Sequence, residues 1–169
     1  IENINTKKKI LDLGCGCGAI GLSLFKHNLV KEPLYASDLS AEAINDFLKN
    51  SEQHNCKSVT KKGHILNSWN GYKFELIVSD VSAISEDVAK FSIWFNKTSC
   101  NTGIGGEKLV KEVFDNVDKY IEKSGLFYFP IISLSNVDLI KEYSNSKFAK
   151  IKKVKRFNWP LPEDMLIHI

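Results

Sequence analysis

The residues best suited to chemistry lie together near the start of the chain, in Ile10-Leu-Asp-Leu-Gly-Cys-Gly-Cys-Gly18, with Asp38 twenty residues beyond Gly18. Alternating glycines let the backbone adopt dihedrals closed to other residues and let a ligand lie against the main chain. A helix starting directly after such a bend adds free N–H donors and partial positive charge. Gly16-Cys-Gly-Ala-Ile-Gly21 also satisfies the dinucleotide spacing G-x-G-x-x-G. The acid two residues before the first glycine, Asp12, separates two chemistries. A dinucleotide presents a negative pyrophosphate to this bend, which a carboxylate opposes. A ligand with a cationic end is favoured there instead.

S-adenosylmethionine has such an end, an ammonium and a sulfonium. Asp38, at the end of a second strand, can accept both ribose hydroxyl protons, which suits either nucleotide cofactor. The plain structural alternative is that Asp12 caps a turn and Asp38 caps the next helix. A third acid, Asp80, follows the apolar run Phe74–Val78 and can accept a hydrogen bond from a substrate N–H or O–H, or simply anchor a loop. The four cysteines, Cys15, Cys17, Cys56 and Cys100, lack the paired Cys/His spacing of a metal site, so no metal is expected. They read as structural or incidental thiols in a reducing cytoplasm.

These residues need a frame that alternates strands and helices. Lys9–Leu13, Leu34–Ser37, Val59–His64, Phe74–Val78 and Leu126–Ser133 read as strands. Ala19–Asn28, Ala41–His54 after the cap Ser40, Glu107–Lys123 before Gly125, and a short stretch from Ser135 or Asn136 to Asn145 read as helices. Phe148–Phe157 and Met165–Ile169 read as two closing strands joined by a proline-containing return. The pattern predicts an α/β, doubly wound, mostly parallel sheet with helices on both faces and an antiparallel strand at one edge. Ser79–Gly106 is irregular. Its Phe91, Trp94 and Phe95 line a pocket or form a satellite core, and Thr102–Glu107 offers glycines for a lid hinge.

With 169 residues, 43% hydrophobic and 25% charged, the chain fits one soluble globular domain over residues 1–169. No apolar run approaches the roughly 20 residues of a membrane span, so no membrane partner is expected. The chain begins at Ile1 rather than methionine, and an N-terminal flank is expected to be missing. Net charge is +3, and only Arg156 among 23 basic residues is arginine, which argues against a dedicated reader of nucleic-acid bases. The basic run Lys147–Arg156 protects a sheet edge or tracks a phosphate backbone, the edge being the preferred reading.

Asp12-Leu-Gly-Cys-Gly-Cys-Gly18, Ala36-Ser-Asp-Leu-Ser40 with Ala43, and Ile77-Val-Ser-Asp80 follow one another in strand order. In these the sequence resembles the class I, Rossmann-like S-adenosylmethionine-dependent methyltransferases. The resemblance implies a seven-stranded sheet with its last strand antiparallel. It implies cofactor contacts from Asp12, Gly14, Cys15, Gly16 and Gly18 to the methionine end, from Asp38 to the ribose and from Leu39 to the adenine. Where the family often has an acid after the third strand that contacts the adenine, Gly63-His-Ile-Leu66 offers His64 and Ile65, His64 being an adenine contact or a surface histidine at a strand end. The region after the fourth strand is similar to release-factor glutamine and adenine-N6 methyltransferases, whose pattern is Asn or Asp, Pro, Pro, aromatic. Here it reads Asp80-Val-Ser-Ala83, with the acid kept and the clamp gone. Methyl transfer is a direct displacement in which alignment can be the protein's whole contribution.

The expected function is therefore methyl transfer to N or O of an unidentified acceptor, with Asp80 as the catalytic candidate. The acceptor is a small molecule, a protein or an RNA, including a translation-associated protein. The alternatives are a cofactor-binding module without catalysis, acting through a partner, and a nicotinamide-dependent dehydrogenase, which Asp12 and the antiparallel ending disfavour.

Overall fold

The computed structural model describes residues 4–91 and 101–161. They fall into two compact units, Ile1–Val81 with Asn116–Pro130, and Ser82–Asp115 with Ile131–Ile169.

The first unit is built on a parallel sheet of five strands: β1 (Ile10–Leu13), β2 (Leu34–Asp38), β3 (Ser58–Lys62), β4 (Phe74–Ser79) and β5 (Ile121–Tyr128), in the order β3-β2-β1-β4-β5. The central β1 is buried at every residue and β4 at nearly every one, as parallel strands covered on both faces must be. The polar β3 takes an edge, where Lys62 is exposed and the Lys61 ammonium donates to the Ser68 carbonyl at 2.9 Å. Helix α1 (Ala19–Lys26) and helix α2 (Ala41–Gln53) carry Leu22, Leu24, Ile44 and Phe47 into one core with Ile10, Leu34, Ala36, Leu76 and Val78. Ser40 caps α2, its Oγ accepting from the Ala43 N–H at 3.3 Å. Trp69, Tyr35, Tyr72 and Phe74 form an aromatic cluster, in which the Trp69 indole donates to Ser37 Oγ at 2.9 Å.

Among the described residues the sheet has five strands, all parallel, and not the expected seven with an antiparallel last strand. Residues 148–157 form no strand. Their apolar side chains, Phe148, Ile151, Val154 and Phe157, recur every third residue, so a strand's two-residue alternation would scatter them over both faces among lysines. Met165–Ile169 lies outside the described residues.

The join before β5 also differs from expectation. The helix expected over Glu107–Lys123 is α4 (Lys108–Asn116) followed by a 3-10 turn, Val117–Lys119, and β5 then begins at Ile121. The ladder wins over helical periodicity here, because the Phe74 N–H donates to the Tyr120 carbonyl at 2.9 Å and draws the chain into the sheet. Gly125 is no helix cap. It sits inside β5 where the register slips, Phe74 facing Ile121 but Leu76 facing Leu126, and a Cβ there would lie 2.5 Å from Ile121 Cγ1.

The second unit holds α3 (Glu86–Ala89), α4 and α5 (Val137–Lys147). Asn136 starts α5, its Oδ1 accepting from the Leu139 N–H at 3.1 Å. The glycine-rich 102–106 stretch is pinned. Thr102 Oγ1 donates to the Ile84 carbonyl, the Gly103 N–H donates to Glu86 Oε1 at 2.8 Å, and the Gly105 carbonyl accepts from Asn136 N–H at 2.7 Å. Phe91 is half exposed, while Trp94 and Phe95 lie outside the described residues. Among the described residues no helix is long and apolar enough to cross a membrane.

Candidate functional site

The strand register brings the candidate residues to one edge of the sheet. Leu13 stands beside Ser37 on one side and Ser79 on the other, and Asp38 beside Lys62. The carboxyl ends therefore present His64, Asp38, Gly14 and Asp80 in that order, across strands spaced by about 4.8 Å, or about 14 Å in all. The strand order turns back between β1 and β4, the switch point at which open parallel sheets bind ligands.

The bend after β1 requires its glycines. Gly14, Gly16 and Gly18 have φ of 73°, 51° and 89°. The N–H groups of Gly14 and Cys15 both donate to the Ser37 carbonyl, at 2.9 and 3.0 Å, which ties the bend to β2. A Cβ on Gly18 would lie 2.8 Å from Phe47 Cδ2, so this glycine lets α2 pack close. A Cβ on Gly16 would meet nothing within 4 Å, so the bend is open on that side.

Asp38 closes the bend from β2. Its Oδ2 accepts from the Gly16 N–H at 3.0 Å and its Oδ1 from the Ser40 N–H at 2.9 Å. A carboxylate has about four lone-pair positions, so each oxygen keeps acceptor capacity for a ligand hydroxyl. Leu39, next in the chain, is held 53% exposed beside it. The Gly63 N–H donates to the Asp38 carbonyl at 2.9 Å and binds the end of β3 to the same point. Beyond it His64 is exposed, and Ile65 is buried with φ of 42°, a conformation strained for a β-branched residue.

Asp12 lies beneath the bend and not at its mouth. It is 1% exposed, and its Oδ2 accepts from the Gly21 N–H, in the first turn of α1, at 2.8 Å. Gly21 is needed for this contact, because a Cβ there would sit 2.6 Å from that oxygen. The other oxygen, Oδ1, is buried without a hydrogen-bond partner. Burial raises the Asp12 carboxyl to about 7, against the pull of the Gly21 N–H and reinforced by Asp80 and Asp38. Burial, with the same Asp12 and Asp38 charges, pushes the Cys15 thiol far above its ordinary range, so it is inert as a nucleophile.

Asp80 stands at the other end of the row, its N–H donating to the Leu13 carbonyl at 2.9 Å. Its side chain reaches solvent, yet the protein wall beside it strips part of its water and raises its carboxyl above the usual value. A Cβ on Gly14 would meet Val81 N at 3.1 Å and the Asp80 carbonyl at 3.2 Å, so the bend and the loop after β4 meet through main chain.

Sequence reasoning missed Ser37, whose carbonyl anchors the bend, and Asn50, whose Nδ2 donates to the Cys17 carbonyl at 2.8 Å. Asn50 carried a weak signal, a polar residue three positions after the core residue Phe47 on α2. Among the described residues no group of three His, Cys, Asp or Glu could hold a metal. A cavity of about 620 Å³ lined by Lys9, Glu32, Tyr35, Glu75 and Glu122 lies at the amino ends of the strands, away from this row.

Residues 1–81 match a family model described as methyltransferase small domain. The chain is 27% identical over 135 residues to the release factor glutamine methyltransferase of Streptococcus pneumoniae (strain ATCC BAA-255 / R6), covering 77% of this chain and 48% of that protein. The chain thus spans about half the length of that relative. Among solved structures, the ribosomal protein L11 methylase of Lactobacillus delbrueckii subsp. bulgaricus has a TM-score of 0.63 at 16% identity, over 86% of this chain and 62% of that one. The 16S rRNA N2 G1207 methyltransferase of T. thermophilus, solved with AdoMet and guanosine, has a TM-score of 0.64 at 14% identity, over 90% of this chain and 35% of that one. At these identities the structural likeness speaks for the fold. Residues 1–81 thus match the methyltransferase small domain model, and the chain has the Rossmann-like fold of class I S-adenosylmethionine-dependent methyltransferases.

Proposed function

We propose that this chain binds S-adenosylmethionine along the bend after β1 and transfers its methyl group to N or O of an acceptor. The observation that carries the reading is Asp38, fixed by the Gly16 and Ser40 N–H groups at the open side of a glycine bend, with Leu39 exposed beside it. The residues fit the cofactor in two further respects. Gly16 leaves the bend open to a ligand, and the buried, unpartnered Asp12 Oδ1 would favour a cationic tail held there.

When bound, S-adenosylmethionine supplies an electrophilic methyl group on sulfur. The chain's own residues orient it: Gly14, Cys15, Gly16 and Gly18 at the amino-acid end, Asp38 at the ribose, and Leu39, His64 and Ile65 around the adenine. Asp80 Oδ atoms accept a hydrogen bond from the acceptor N–H or O–H, which turns its lone pair toward the methyl group. Val81, Ser82 and Ala83 lack the flat clamp of the similar Asn/Asp-Pro-Pro-aromatic pattern, so a glutamine or adenine acceptor does not follow from Asp80 alone. Kinship with a release factor glutamine methyltransferase supports an acceptor in the translation apparatus, a protein or an RNA.

Thermal unfolding with S-adenosylmethionine or NAD tests the cofactor. Ligand at 100 times its dissociation constant adds about 2.7 kcal/mol of stability. A rise with S-adenosylmethionine alone is expected, and a rise with NAD alone would overturn the reading. Labelled cofactor incubated with cell extract then tests transfer: label in an acceptor fraction is expected, and a tight binder yielding none would rule out catalysis.

A further inference from the structure

After α5 ends at Lys147, the chain from Phe148 to Leu161 forms neither helix nor strand. It holds five cations, Lys150, Lys152, Lys153, Lys155 and Arg156, and no acid. Every residue from Ala149 to Pro160 is exposed, including Phe157 at 63% and Trp159 at 82%. Lys147 pairs with Asp115, but none of the five cations has an ion pair among the described residues. The Lys155 ammonium lies 4.9 Å from the centre of the Phe157 ring. The sheet-edge reading of this basic run has no support among the described residues, where the segment joins no ladder.

Large apolar rings left in water mark a binding surface. The partner that matches uncompensated cations interleaved with bare rings is a flexible polyanion with flat apolar faces. Single-stranded nucleic acid has both, its phosphates following the lysines and its bases stacking on the rings. An anionic membrane surface fits less well, since it calls for an amphipathic helix with rings on one side and cations on the other. The shortage of arginine suits the assignment. Lysine attracts phosphate as a point charge without the planar fork that reads bases, so contact is sequence-tolerant.

We propose that residues 150–159 form a sequence-tolerant binding strip for single-stranded nucleic acid, through lysine contacts to phosphate and base stacking on Phe157 and Trp159. This goes beyond the methyl-transfer reading and does not depend on it.

The test is fluorescence anisotropy of labelled oligo(U) and oligo(dT), about a dozen nucleotides long, with the full chain at several salt concentrations. Affinity is expected to fall with salt, the logarithmic slope being about −0.7 for each phosphate neutralised. Replacing Lys152, Lys153 and Lys155 together by Gln should flatten that slope. Trp159→Ala should weaken binding about tenfold at unchanged slope. Binding by either oligonucleotide in this pattern supports the strip, and a preference for oligo(U) names RNA as its source. An unchanged affinity in Trp159→Ala, or tighter binding to phosphatidylserine vesicles than to either oligonucleotide, would overturn it. So would slow hydrogen exchange across 150–159 in the free protein, which would show that the chain itself covers the segment. Far-UV circular dichroism of the variants separates lost binding from lost folding.

Discussion

Asp12 precedes the glycine bend in sequence but lies buried beneath it, bonded to the Gly21 N–H. Its position before the glycines was legible from type and spacing, but its burial was not, because that depends on Gly21 bringing the start of α1 onto Oδ2. A folded-state pKa of about 7, against 3.8 for the free side chain, means that the folded protein holds this proton longer than the unfolded chain does. The contribution of Asp12 to stability is therefore greatest below about pH 4, declines between about pH 4 and pH 7, and is constant above that, a loss of roughly 4 kcal/mol. Asp12→Asn is expected to flatten that decline, as read from urea midpoints across the same range. A cationic ligand favours the ionised form, so affinity for S-adenosylmethionine in the wild-type chain should rise up to about pH 7 and Asp12→Asn should lose that dependence in calorimetry. At Asp38 the expected outcome is sharper. Asp38→Ala frees two backbone donors and removes the ribose acceptor, so the thermal shift with S-adenosylmethionine should vanish while the fold survives.

At the scale of elements, β1, β2, β4 and α2 were legible because apolar runs, glycine punctuation and the Ser40 cap agree with one another. The stretch from α4 to β5 was not. The apolar spacing of Val110, Val113, Phe114 and Val117 continues to Tyr120 and Ile121, and only the β4 ladder, a partner far away in sequence, decides where the helix stops. Gly125 followed the expected helix closely enough to look like its cap, although its missing side chain serves a bulge. The packing of α2 on the sheet yields a prediction of size. Phe47 is fully buried and touches the space over Gly18, so Phe47→Ala should cost about 3–5 kcal/mol in urea unfolding. Ser40→Ala removes one cap and should cost about 1 kcal/mol by the same measurement.

At the scale of the whole chain, most of the described sequence between β4 and β5, from Ser82 to Asp115, belongs to a second compact unit, and so do the described residues after Pro130. Its boundaries were not legible, because the composition does not change where they fall. Phe148, Ile151, Val154 and Phe157 look like strand residues by type, yet their three-residue spacing denies a strand a single apolar face. Exposed lysines without regular structure around them are the natural first target of trypsin. Brief digestion is expected to cut first between Lys150 and Arg156, with β1 to β5 intact, as mass spectrometry of the fragments would show. Early cuts within 10–79 instead would contradict the buried sheet described here. Gly14 has a consequence for anyone wishing to redesign the acceptor. Because it rests directly on the peptide joining Asp80 to Val81, the bend proposed for the cofactor and the loop proposed for the acceptor meet through main chain. Under the proposed methyl transfer, a bulky graft at position 14 would press on both, and the apparent KM values for methyl donor and methyl recipient would climb in step.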